Sequence, residues 1–385
     1  MVESTSGVVW DLQGYFPEFN SQEMQDFKNK LGADVETIKK KASNLGSLND
    51  KTAGQWEAVI LFAEDIVSRL GHLSSYLSCL ESADARNEAY SRERSNLVKL
   101  SAEYEKFEID VLYAFKQTDE EFIEKFFARE KLKDIEYPLE RIRERTKYTM
   151  SREEELLTTD LNIDGLGAWG RLYNKITGKL EFEFIAREGK KEHRPISQWR
   201  SLMADADRAV GRAAYEGGNR AWKGIEDVCA AALNAISGAR LSLNRHRGIK
   251  HILDKALFDA AIRRETLDSM YQAIHDHLDI PREIFRAKAR FFNRQRIWFF
   301  EREAPLPLKD TSKLTWRQAT EIVSNAFKTA YPALAGYFRQ FVENRWVESE
   351  PRPGKRPGAF CTRSTLTREQ RVFMTFNGTL SDVST

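Results

Sequence analysis

Six histidines and three cysteines are the first places to look for chemistry in this 385-residue chain. His275 and His277 stand two apart, on nearly opposite sides of a regular helix, so they cannot clasp one metal ion. His246 and His251 are five apart, also a poor spacing, and His72 and His193 stand alone. There is no Glu-x-x-His pair and no His-Glu-x-x-His, the patterns that put zinc or iron ligands on one helical face. Cys79, Cys229 and Cys361 are odd in number and far apart, which fits free thiols in a reducing compartment better than a disulfide framework. Cys361 has no base among its sequence neighbours.

Two phosphate-binding patterns are approached and missed. Gly165, Gly167 and Gly170 spell G-x-G-x-x-G, but acidic, helical residues precede them where a buried strand is required, and no βαβ unit follows. Gly354-Lys355 has Ser349 where a P-loop needs glycine and Arg356 where it needs Ser or Thr. The residues themselves therefore spell no convincing catalytic constellation.

The elements around these residues are mostly helical. Met24, Phe27, Leu31, Val35, Ile38, Ala42 and Leu45 recur every three or four positions behind an Asn20-x-x-Glu23 capping signal. Helical patterning continues from about Thr52 to Phe127, with a break near Ser82-Ala83-Asp84, and through the charged run after Pro138. Leu180, Phe182 and Phe184 alternate with glutamates and predict a strand, Gly189 a turn, and Ser197 the cap of the next helix. This change of period places a domain boundary at 195/196, giving 1–195 and 196–385. Trp222, Ile225, Cys229, Ala232 and Ile236 predict one further stripe, and the pattern from Trp316 to Val347 another helix. Most tryptophans fall on apolar stripes and read as core. After "PRPGKRPG", the segments "AFCTRS" and "RVFMTF" predict two antiparallel strands, with Val372, Met374 and Phe376 on one face. Asn377-Gly378 signals a turn, and Ser381-Asp382 the start of another helix.

The charge balance excludes some classes of function. Sixty basic and 58 acidic residues argue against an obligate nucleic-acid or membrane-surface role. Between Pro281 and Thr375, however, 19 Lys/Arg face 9 Asp/Glu, an excess suited to anionic groups such as peptide carboxylates. No apolar run approaches the roughly 20 residues of a membrane span, and the N-terminus lacks the basic and apolar regions of a secretory signal. A cytoplasmic protein is expected.

The tail carries a specific resemblance. "RWVESEPRPGKRPGAFC" followed by "RVFMTFNGTLSDVST" resembles the oligoendopeptidase F branch of the thimet-oligopeptidase-like zinc metallopeptidases. "WDLQGYFP", "SREEELL", "AWGRLYNKITGKLEFEF", "AALNAISGARLSLNRHRG" and "AKARFFNRQRIWFFEREAPLP" fit the same family in order, and Glu301 and Glu348 stand where Asp is expected. The resemblance implies a mainly α, multi-helix, two-lobed fold with a small β element near the C-terminus and an incomplete catalytic domain. It implies zinc held by a His-Glu-x-x-His helix that would follow Thr385, so the chain is expected to be the N-terminal portion, without metal and inactive alone. It further implies a peptide-pairing strand at Arg371–Phe376, with Gly358, Ala359, Phe360, Arg371, Phe373, Thr375 and Phe376 as substrate-binding residues. Short peptides and a missing C-terminal catalytic segment are the expected partners. A non-catalytic peptide-binding protein, or half of a split peptidase, are the alternatives.

Overall fold

The computed structural model describes residues 7–185, 189–306 and 313–384, apart from the side chain of Ser381. Five helices form the first body: α1 (Gln22–Leu45), α2 (Ala53–Ala83), α3 (Glu88–Gln117), α4 (Glu120–Phe127) and α5 (Glu136–Arg145). Met24, Leu31, Val35, Ile38 and Ala42 of α1 are buried, as their spacing predicts, and they pack with Trp56, Ile66, Leu73 and Phe115 in one core. The α1 cap is Ser21, whose hydroxyl accepts from the Met24 amide. Asn20, expected there, instead turns the chain at φ 64°. The break expected near Ser82 is the α2–α3 connection.

Helices α6 (Arg152–Asp164) and α7 (Leu166–Lys179) follow, and Gly165 joins them. A helix thus precedes the G-x-G-x-x-G run, as its acidic neighbours suggested. Strands β1 (Glu181–Ile185) and β2 (Lys191–Pro195) form the expected hairpin, with Gly189 at φ 73° in its turn. Phe182 and Phe184 bury against Val210 and Ala214. Ser197 is not a cap: α8 (Trp199–Met203) starts without a side-chain cap.

The remaining helices are α9 (Arg208–Lys223), α10 (Glu226–His246), α11 (Ile252–Ala260), α12 (Arg264–Asp276), α13 (Asp279–Phe291), α14 (Trp316–Ala330) and α15 (Pro332–Glu343). Two expectations change here. The stripe from Trp222 to Ile236 is cut by the α9–α10 break, and only Ala232 of α10 is buried. The helix expected from Trp316 to Val347 is two, because Pro332 cannot donate within a continuous helix and instead starts α15. Trp298, grouped with the core by pattern, is 63% exposed.

The chain closes with β3 (Val347–Glu348), β4 (Phe360–Arg363), β5 (Gln370–Phe373) and the short α16 (Leu380–Ser384). The sheet order is β3-β5-β4, with β5 parallel to β3 and antiparallel to β4. This sheet is fastened to the start of the chain. Ser349 N–H donates to Val8 O at 2.8 Å, Asp11 N–H to Arg345 O at 2.7 Å, and Trp10, Cys79 and Phe373 bury together.

Candidate functional site

Of the seven residues singled out in the tail, Phe360, Arg371 and Phe373 lie in the C-terminal sheet, and Gly358, Ala359, Thr375 and Phe376 lie just beyond its strand ends. β5 is the middle strand. Val372, Met374 and Phe376 donate their amides toward β3, to Trp346 O, Glu348 O and Ser349 O at 3.0, 2.9 and 2.8 Å. Alternation turns the main chain of Arg371 and Phe373 toward β4, opposite Thr362 and Phe360. The expectation that Arg371–Phe376 presents a free main-chain edge is therefore corrected along Arg371–Phe373: the outer strands are β3, flanked by the Val8–Asp11 segment, and β4. Because Phe360 and Thr362 face β5, the N–H and C=O groups of Cys361 and Arg363 point the other way, to the open side. Among the described residues no further strand pairs with them.

The side chains divide in the same way. Arg371 is 1% exposed, donates to Asp11 O at 2.9 Å, pairs with Glu369 at 2.8 Å, and lies between the rings of Tyr15 and Trp346. Phe373 stacks on Phe360 with centroids 5.1 Å apart, and Phe376 meets Trp316 edge-on at 5.3 Å. Arg371, Phe373 and Phe376 are buried, so their side chains build the sheet rather than face a cleft. The expected inward face of Val372, Met374 and Phe376 was incomplete, because Arg371 and Phe373 on the other parity are buried as well. Gly358 and Ala359 are exposed, and Phe360 and Thr375 half-buried. Gly358 holds φ 101°, left-handed backbone that favours glycine, where the chain turns into β4.

Several supporting groups escaped the sequence reading. Glu348 is fully buried and receives the Trp10 amide at 3.2 Å, the Lys355 ammonium at 3.2 Å, and Arg352. Lys355 also donates to Glu350 O at 3.0 Å and lies over the Phe373 ring. Burial pulls its pKa down to about 8 against the pull of Glu348. The Gly354-Lys355 pair that fails as a P-loop is thus an anchor for the loop leading into β4. The only available signal was a lysine between prolines and glycines shortly after two glutamates, which does not say which carboxylate it meets.

After β5, Asn377-Gly378 makes the expected turn, with Gly378 at φ 80°. Asp382 does enter a helix, but the cap is Thr379. Its hydroxyl accepts from the Asp382 amide at 3.2 Å while the Asp382 carboxylate accepts from the Thr379 amide at 2.8 Å. The Ser381 side chain lies outside the described residues.

Among the described residues no group of three or more His, Cys, Asp or Glu side chains is placed to hold a metal ion. No described helix is long and apolar enough to cross a membrane. A cavity of about 290 Å³ between α3, α6 and α11 is lined by Glu105, Glu108, Glu155 and Arg247, away from the sheet, and Glu155 and Arg247 satisfy each other at 2.6 Å.

This mainly helical chain shares its overall fold with solved oligoendopeptidase structures. The oligoendopeptidase-F from Enterococcus faecium superimposes with a TM-score of 0.64 at 17% identity, over 83% of this chain and 66% of that one. A family model for oligopeptidase F (Peptidase_M3_N) matches residues 115–182. The chain is 20% identical to the oligopeptidase PepF of Bacillus subtilis over 92% of its own length, and 23% identical to an oligoendopeptidase F homolog of Lactococcus lactis over 100%. The chain is thus similar to oligoendopeptidase F proteins in sequence along most of its length and in fold. It spans 52% and 63% of the lengths of those two relatives.

Proposed function

We propose that this chain supplies the peptide-holding front of an oligoendopeptidase F-type enzyme, in which an extended peptide adds to the open edge of β4. The observation that carries this reading is the sheet order: β5 is paired on both sides, while Cys361 and Arg363 keep outward N–H and C=O groups. Main-chain pairing at such an edge holds peptides with little regard to sequence, and only the side-chain pockets discriminate. Half-buried Phe360 and Thr375, exposed Gly358 and Ala359, and the basic excess from Pro281 to Thr375 would surround the peptide. Zinc and a cytoplasmic location are part of this reading, in which the share of this chain is the peptide edge of β4. Among the described residues no His, Cys, Asp or Glu side chains form a ligand set, and no hydrolytic step is assigned to them. The open edge of β4 equally suits a second reading, a non-catalytic peptide binder on the same scaffold.

The test is to titrate the purified protein with a short fluorescent peptide and to measure bound zinc by atomic absorption. Micromolar binding with zinc far below one equivalent and no cleavage is the expected outcome. Stoichiometric zinc with chelator-sensitive cleavage overturns the inactive reading, and no binding overturns the β4 edge. Recovery of zinc and cleavage on adding a polypeptide that carries the catalytic segment separates the enzyme reading from the pure binder.

A further inference from the structure

Buried polar groups link the first helical body to β4. His72 of α2 is 4% exposed and engages both ring nitrogens: Nδ1 meets Ser364 Oγ at 2.7 Å, and Nε2 meets Tyr15 O at 3.3 Å. A carbonyl only accepts, so Nε2 carries the proton and Nδ1 accepts from the Ser364 hydroxyl. Ser364 directly follows β4. Three residues on from His72, on the same helix, Ser75 Oγ touches Tyr15 OH at 2.7 Å and Thr362 Oγ1 at 2.9 Å, and Thr362 lies within β4. One face of the strand is therefore hung on α2 by two short polar links.

The enclosure around the imidazole is poor in charge. The rings of Tyr15, Phe16 and Phe27 lie 5.0, 5.1 and 5.5 Å from it. On α2 itself the residues one turn away are Arg69, paired with Asp34 at 2.7 Å and Asp65 at 2.5 Å, and Ser75 and Tyr76, neither charged at neutral pH. From the segment after β4 the facing charge is Glu369, already paired with Arg371 at 2.8 Å, and Arg371 lies over the Tyr15 ring. Burial lowers the His72 pKa below the ordinary 6.5, against the smaller upward pulls of the Tyr15 carbonyl and Glu369.

We propose that His72 is a positioning residue for the β4 edge, a pin that holds the strand against α2 when neutral and lets it go when protonated. Protonation turns Nδ1 from acceptor to donor. The Ser364 hydroxyl, which already receives the Thr367 amide at 3.3 Å, then loses the acceptor for its own proton. A charge also enters an aromatic enclosure that offers no unpaired carboxylate. The sign follows from the lowered pKa: the contribution is full above 6.5 and fades as pH falls through the folded value. The inference rests on β4 as the peptide edge, but the pin has its own readout.

The experiment follows amide-exchange protection of Phe360 and Thr362, the β4 amides that face β5, corrected for intrinsic rates, from pH 8 down to pH 5. In parallel, the His72 ring protons are titrated by NMR, assigned by their loss in His72→Gln. Protection of β4 should fall severalfold with the midpoint of the His72 titration while that of α1 stays flat. His72→Gln keeps a donor and an acceptor without titrating, and should leave β4 protected across the range. A wild-type β4 that stays equally protected through the His72 midpoint overturns the pin, whether or not the variant folds, and so does an unchanged pH dependence in His72→Gln. Peptide titration at pH 7.5 separates the two readings: a working pin without peptide binding removes the edge function alone.

Discussion

Lys355 and Glu348 show at the scale of single residues how the loop before β4 is held. Lys355 is 3% exposed, and its ammonium is kept by two main-chain carbonyls, the Glu348 carboxylate and the Phe373 ring. Its lowered pKa means that between about pH 8 and 10.5 the unfolded chain binds more protons than the folded one. Stability contributed by this group therefore rises with pH across that window and is lost as pH falls through 8. Urea unfolding should show the wild type gaining on Lys355→Met between those pH values. Glu348→Ala should be more damaging, because it strands Lys355 and the Trp10 amide in the interior. Breaking a buried pair in this way costs about 3–5 kcal/mol, readable as a lower urea midpoint.

At the scale of elements, what was legible in the sequence was local. The α1 stripe, the α2–α3 break, the 181–195 hairpin and the antiparallel β4–β5 pair depend on period and turn chemistry within a few residues. The role of β5 was hidden because its second partner, β3, is two residues long and pairs in parallel from more than twenty residues away. Without β3, Arg371–Phe376 looks like an edge; with it, the edge moves to β4. The candidate site was accordingly found as a segment but not as a surface. Proline distinguishes the two sides of β4, since it removes one N–H and is tolerated at strand edges. Cys361→Pro takes away an outward amide and should weaken peptide binding severalfold while the protein remains folded by circular dichroism. Thr362→Pro removes an inward amide of the β4–β5 ladder, and with it the Ser75 link, and should lower the thermal midpoint as well.

Across the whole molecule, burial is uneven, and stability should follow it. The first body closes a core of large side chains, including Trp56, Tyr76, Phe107, Phe115 and Phe126, each 2% exposed or less. α11 and α12 bury no residue at all, and α13 buries only Ala289. On α12 and α13, Tyr271, Ile274, Ile280, Ile284 and Phe291 are all more than half exposed. Elements with so little apolar burial open at a small cost, while the core opens only near the global unfolding free energy. The C-terminal sheet belongs with the stable part despite its distance in sequence, because Val8, Trp10 and Asp11 tie it to the start of the chain and Cys79 to α2. Native-state amide exchange should thus rank α11–α13 as fastest, with α1–α3 and β5 slowest, and brief proteolysis should cut first between residues 250 and 295. If α12 were as protected as α2, another molecule would have to cover it in solution, and sedimentation of the same sample would reveal that species as a heavier particle.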